Sequence, residues 1–210
     1  AGGKSTILMC SDETISTAEA IGTTAASVDI TIQSHPYQRR TLTVSAASMF
    51  TYTDAAEGDL HFVDLVLEGS TTGKHMFAET AGGGSGADMQ VTFDRCHFDD
   101  SPGNISYIVS TTITPGGTGN VTLRHCTGNI GGMFKTTASS GLASEYRLED
   151  CEITFEDNPI DVFTKGGNYG SLGFSIEGGR YGVTLTTDHW CNLSRAFDID
   201  IRSCTFDDDG

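Results

Sequence analysis

One eight-residue frame recurs along this chain, and that recurrence constrains the fold more than any other feature. "VTFDRCHF" (91–98), "VTLRHCTG" (121–128), "YRLEDCEI" (146–153) and "IDIRSCTF" (199–206) superpose without gaps on a shared cysteine. "LHFVDLVL" (60–67) and "FSIEGGRY" (174–181) fit the same frame with Leu65 and Gly179 in the cysteine place, and "VDITIQS" (28–34) reads as an earlier rung. The frame positions Leu65, Cys96, Cys126, Cys151, Gly179 and Cys204 are separated by 31, 30, 25, 28 and 25 residues. Self-similarity at such a period marks stacked repeats, each too small to bury its own apolar face.

Inside a copy, apolar residues alternate (Leu60, Phe62), pause for two positions, and resume (Leu65, Leu67). Period-two alternation belongs to a strand with one buried face. The pause reads Val63-Asp64, Asp94-Arg95, Arg124-His125, Glu149-Asp150, Glu177-Gly178 and Arg202-Ser203. Only Val63 is large and apolar there, so the pause reads as a two-residue, solvent-facing corner. A second signature trails the frames as "SMF" (48–50), "HMF" (75–77), "GMF" (132–134) and "DVF" (161–163), followed by Gly/Ser/Thr loops of variable length. Short strands, one tight corner and one elastic loop per repeat predict an all-β parallel β-helix of about seven coils of 25–31 residues. Helical periodicity is nearly absent, and a short helix or cap is one option for Ser11 to Ile21.

Coils of a parallel solenoid stack ~4.8 Å apart. That spacing turns Leu65, Cys96, Cys126, Cys151, Gly179 and Cys204 into one interior ladder, with the thiols as small packing groups. A disulfide between adjacent coils is the alternative, and it needs Cβ atoms ~3.8 Å apart. Cys10 and Cys191 fall outside the frame and either pair or stay free. None of the cysteines forms a C-x-x-C pair, which argues against a zinc site.

The opening segments "GGKSTILMCSDETIS", "VDITIQSHPYQRRTLTVSAASMF" and "LHFVDLVLEGS" resemble the first coils of the right-handed parallel β-helix superfamily, the pectin-lyase-like fold. The nearer likeness is to β-helical regions of large bacterial and archaeal adhesin-like surface proteins. This resemblance implies a right-handed coil and an extracellular or cell-surface location. It also implies a non-catalytic structural or adhesive role, with glycans or a neighbouring cell surface as partners. The fold's enzymes supply the alternative, a polysaccharide lyase or glycoside hydrolase, and phage tailspike-like fibres a second. The GGAI and FxxN tetrapeptides of one autotransported β-helix family are missing, as is any polysaccharide-lyase motif.

Charge narrows the partners. A net charge of −16 and a pI near 4.5 disfavour nucleic acid and anionic membranes, both of which need basic surface. No stretch approaches the ~18 apolar residues of a membrane span. The chain begins at Ala1 and ends on "TFDDDG", inside a repeat. Residues 1–210 are therefore expected to be a single β-helix domain cut from a longer protein, with adjoining domains as neighbours.

Three groups of residues are candidates for chemistry. If the chain is an enzyme, the corner column is the place, with Asp94, Glu149 and Glu177 as carboxylates and Arg124 as base or anion clamp. Carboxylates on adjacent coils would lie ~5 Å apart, near the separation of retaining glycosidase pairs. The plain alternative is a solvated edge of mixed charge. Calcium is the one cofactor with a candidate site, at Asp99, Asp100, Glu156 and Asp157, since the ion takes several carboxylate oxygens. Turn chemistry accounts for the same residues without an ion. For sugar stacking, the aromatic candidates are Trp190 with His189, Tyr169 and Tyr37, all in polar loops. "GGKST" (2–6) and "GGSGAD" (83–88) imitate a phosphate loop and a calcium nonapeptide, and neither has the required context.

Overall fold

The computed structural model describes residues 4–21, 28–53, 57–81, 87–101, 103–111, 118–136, 144–157, 160–162, 172–184, 191–193 and 198–207. Strands are the only extended regular elements among them. The chain enters through β1 (Lys4–Met9), β2 (Glu13–Ile15) and β3 (Glu19–Ile21). It continues through β4 (Val28–Ser34), β5 (Arg40–Val44) and β6 (Ser48–Thr53), then β7 (Glu57–Val63), β8 (Leu65–Gly69) and β9 (Lys74–Ala81). The next coils are β10 (Ala87–Asp94), β11 (His97–Asp99) and β12 (Ile105–Thr111), followed by β13 (Thr118–Arg124) and β14 (Thr127–Thr136). After them come β15 (Ser144–Glu149), β16 (Glu152–Phe155) and β17 (Ile160–Val162), then β18 (Leu172–Glu177), β19 (Arg180–Val183) and β20 (Cys191–Leu193). The last described strands are β21 (Asp198–Arg202) and β22 (Thr205–Asp207).

All pairings between these strands are parallel, and each strand pairs with the strand one coil away. The first sheet stacks β1-β4-β7-β10-β13-β15-β18-β21, and the remaining strands form the other sides. This is a parallel β-solenoid. Ser11 to Ile21, where a short helix was one option, instead supplies β2 and β3. They pair in register with β5 and β6, so stacking on the next coil decides their conformation over local preference.

Register explains the frame. In the first sheet the inward columns are Leu60-Val91-Val121-Tyr146-Phe174 and Phe62-Phe93-Leu123-Leu148-Ile176. Every one of these ten is at most 5% exposed. Phe62 and Phe93 stack with ring centroids 4.7 Å apart and planes 11° from parallel. The fully closed interior thus spans about five coils, those led by β7, β10, β13, β15 and β18, fewer than the seven expected. At the margins the same columns open: Ile7, Ile199 and Ile201 are 44–50% exposed, because β1 and β21 have a neighbour on one side only.

The trailing "MF" signature also has a packing reason. Met76-Phe77, Ile108-Val109 and Met133-Phe134 are consecutive residues that are all buried, which strict alternation forbids. β12 shifts register against β9 between Ile105 and Tyr107, just ahead of its own buried pair.

Candidate functional site

The corner between the first two sides is built from one residue, where the frame suggested two. The first position of the pause still belongs to a strand: Val63 ends β7, Asp94 ends β10, Arg124 ends β13 and Glu149 ends β15. The second position bends the chain in every copy, joined by Gly179 at φ 78° in the copy that carries two glycines. Asp64, Arg95, His125, Asp150, Gly178 and Ser203 have φ of 55°, 52°, 50°, 48°, 68° and 53°, the left-handed region. Five of the six are not glycine, which costs roughly 1–2 kcal/mol each in backbone strain. A backbone ladder offsets that cost. The amides of Asp64, Arg95, His125, Asp150 and Gly178 donate to the carbonyls of Asp94, Arg124, Glu149, Glu177 and Arg202, at 2.8–3.1 Å.

Immediately after each bend comes the ladder position. Val66, His97, Thr127, Glu152, Arg180 and Thr205 pair in sequence across the coils. Their predecessors Leu65, Cys96, Cys126, Cys151, Gly179 and Cys204 therefore share one column. Leu65, Cys96, Cys126 and Cys151 are at most 1% exposed, and Cys204 packs against the same core. Each central thiol donates to a carbonyl one coil back: Cys96 to Phe62 at 3.5 Å, Cys126 to Phe93 at 3.4 Å and Cys151 to Leu123 at 3.4 Å. These thiols are free, and so is exposed Cys10. Hydrogen bonding with the Cys151 and Cys96 thiols, then burial, pushes the pKa of Cys126 far up. Gly179 is required where it stands, since a Cβ there would run into the Cys151 backbone.

The outward column at the first corner position is Val63-Asp94-Arg124-Glu149-Glu177-Arg202, in register across β7 to β21. The structure thus brings Asp94, Arg124, Glu149 and Glu177 onto one edge, with Arg124 between Asp94 and Glu149. Charges of opposite sign interlock along it. Arg95 holds Asp64 through Nε–Oδ1 at 2.9 Å and Asp94 through Nη1–Oδ2 at 2.5 Å. Arg124 holds Glu149 at 2.6 Å, and His125 Nδ1 lies 3.4 Å from Asp94 Oδ1. The Asp64 hydrogen bond raises the Arg95 pKa still further above its ordinary value.

Beside this edge the outer face of the first sheet forms an open groove of about 420 Å³. Thr31, His61, Thr92, Asp94, Arg124 and His125 line it. A short turn at His35–Gln38 stands at the same edge, closed by the Gln38 amide donating to the His35 carbonyl at 3.0 Å. Arg39 Nη2 donates to the Arg95 carbonyl at 3.0 Å and ties the turn to the corner. Tyr37 at its tip is 92% exposed, with its ring 5.5 Å from that of His35.

The acidic turns have partners of their own. Asp99 Oδ1 accepts the Ser101 amide at 2.9 Å, and Asp100 accepts from Asn129 Nδ2 at 3.0 Å. Glu156 accepts from Asn104 Nδ2, and the Asp157 amide donates to the Gly131 carbonyl at 3.0 Å. Among the described residues the only trio of metal-ligating side chains that converges is Asp29, Asp59 and His61, which the frame did not single out. Its signal was the register of "VDITIQS" on "GDLHFV", which places Asp29 opposite Asp59. Trp190, His189 and Tyr169 lie outside the described residues, as do residues 83–86 of "GGSGAD". The side chain of Cys191 lies outside them too.

Fold and edge together define a parallel β-solenoid protein with an ion-paired corner and a polar groove beside it. No protein-family model, curated protein or solved structure matches the chain. No helix among the described residues is long and apolar enough to cross a membrane.

Proposed function

We propose that this chain is a non-catalytic adhesive module of a cell-surface or secreted protein, and that it binds glycan along the corner edge. The observation that carries the reading is Tyr37, 92% exposed on a turn that Arg39 pins to the corner. A tyrosine ring held in solvent on a fixed turn offers a flat face to a sugar ring and a hydroxyl to its substituents. The groove beside the corner adds hydroxyl, imidazole and carboxylate groups from Thr92, His125 and Asp94, the donor and acceptor set that sugar hydroxyls need.

The lyase or hydrolase alternative needs carboxylates at liberty to move protons. Asp94 and Glu149 are instead held by Arg95 and Arg124 at hydrogen-bond distance. A solenoid with regular backbone ladders is stiff, which suits a stalk that presents a binding edge. Glycan-array binding tests the reading. It should be lost on Tyr37→Ala with the fold intact by circular dichroism, and retained on Glu177→Gln, which lies further along the column. Binding that survives Tyr37→Ala, or no binding to any glycan, would overturn it.

A further inference from the structure

We propose that Asp29, Asp59 and His61 form a binding site for a divalent first-row transition metal ion on the outer face of the first sheet. Asp29 on β4 and Asp59 on β7 are directly paired across neighbouring strands, and His61 lies two residues beyond Asp59 on the same outward face. One ligand atom from each of the three lies within 4.8 Å of the others. All three are half-buried, so they are partly removed from competing water.

Like charges directly opposite on adjacent strands destabilise a sheet. Among the described residues one cationic side chain approaches this pair: Lys4 Nζ sits 3.1 Å from Asp29 Oδ2, at the end of a side chain that is 86% exposed. An exposed lysine is a weak competitor, because its ammonium is well hydrated and its stem is flexible. Among the described residues no cationic side chain pairs with Asp59. A bound divalent ion would neutralise both carboxylates and displace Lys4 from the shared oxygen.

The donor set selects the kind of ion. Two carboxylate oxygens with one imidazole nitrogen suit zinc, manganese, cobalt or nickel, whereas calcium prefers all-oxygen ligands. Three protein ligands leave positions for water or an incoming ligand. His61 also lines the groove described above, so an ion held there borders it.

The test is titration of metal-free protein with Zn²⁺ against a competing chelator. The expected result is one ion per chain, weakened at least about tenfold by Asp59→Asn and by His61→Ala. His97→Ala, which removes a histidine outside both the trio and the groove, should leave affinity within about twofold. Zinc binding that is absent, or that is undiminished in either trio variant, overturns the site and assigns any residual binding to scattered surface histidines. Should a variant fail to fold, Mn²⁺ added to the unmodified protein decides the matter by NMR. Its paramagnetism should broaden the amide signals of Asp59 and His61 at concentrations that leave Asp150 and Glu152 sharp. Uniform broadening, or broadening centred elsewhere, overturns it.

Discussion

Arg95 grips Asp64 of the neighbouring coil at two points, Nε to Oδ1 at 2.9 Å and Nη2 to Oδ2 at 3.2 Å. Both residues occupy the left-handed region, at φ 52° and 55°. Bend and ion pair are therefore one device: the αL residue turns the chain and aims its side chain along the stack. The pair is half exposed on both sides, so it contributes no more than about 1 kcal/mol. The backbone ladder beneath it is the stronger element of the corner.

The strain at the corner can be relieved. His125, at φ 50°, has its ring 3.4 Å from Asp94 and is an exposed member of the column. His125→Gly should match or exceed the parent in thermal stability, by up to about 1 kcal/mol. His125→Val, with a branched Cβ in the same conformation, should lose about 1–2 kcal/mol. Equal melting temperatures for the two variants would deny that the bend sits at this residue.

The cysteine column should behave as packing. Cys126→Asp buries a carboxylate between two coils and should cost more than about 4 kcal/mol, whereas Cys126→Ala should cost about 1–2 kcal/mol. Pulsed alkylation read by mass spectrometry should label Cys10 at once and Cys96, Cys126 and Cys151 only on unfolding. Fast native labelling of Cys126 would contradict its burial.

Other glycines besides Gly179 leave no room for a Cβ. At Gly128, with φ of 107°, a Cβ would strike the Phe98 carbonyl, and at Gly131 one would strike the Ser106 carbonyl. Gly128→Ala should therefore destabilise by about 2 kcal/mol or more in a denaturant titration. Phe93→Ala, which removes a ring stacked on Phe62, should cost about 3–5 kcal/mol.

His75 should make the fold acid-sensitive. Burial first, then the nearby charges of Lys135 and Lys74, lowers its pKa below the ordinary 6.5, and among the described residues its Nδ1 has no hydrogen-bond partner. The unfolded chain then binds the proton more readily than the folded one. Stability should fall as pH drops below about 6.5 and level off once the folded-state pKa is passed. In His75→Phe this part of the acid loss should vanish, as read from melting temperatures between pH 7.5 and 5.

The frame was legible because the interior imposes it: each inward position must be apolar in every coil, so Leu60, Val91, Val121 and Tyr146 recur on schedule. The single-residue bend was not legible. Both positions of the pause face solvent, so hydropathy treats Asp94 and Arg95 alike, and only the sign of φ separates them. The corner column followed from the frame by counting, and its residues do stack, but the arginine grips depend on side-chain reach that counting does not supply. The Asp29-Asp59-His61 trio was hidden for another reason. It depends on the register between β4 and β7, and "VDITIQS" lacks the cysteine that fixes the frame elsewhere.

If the carboxylates of the corner column belong to architecture, they move no protons and cleave no glycan. Turnover assays on pectin, polygalacturonate, alginate and other common polysaccharides, with and without calcium, test this claim most directly. The expected result is no cleavage of any of them by the folded protein. Cleavage that Glu149→Gln abolishes while circular dichroism stays unchanged would contradict the claim and make the Arg124–Glu149 pair part of an active site.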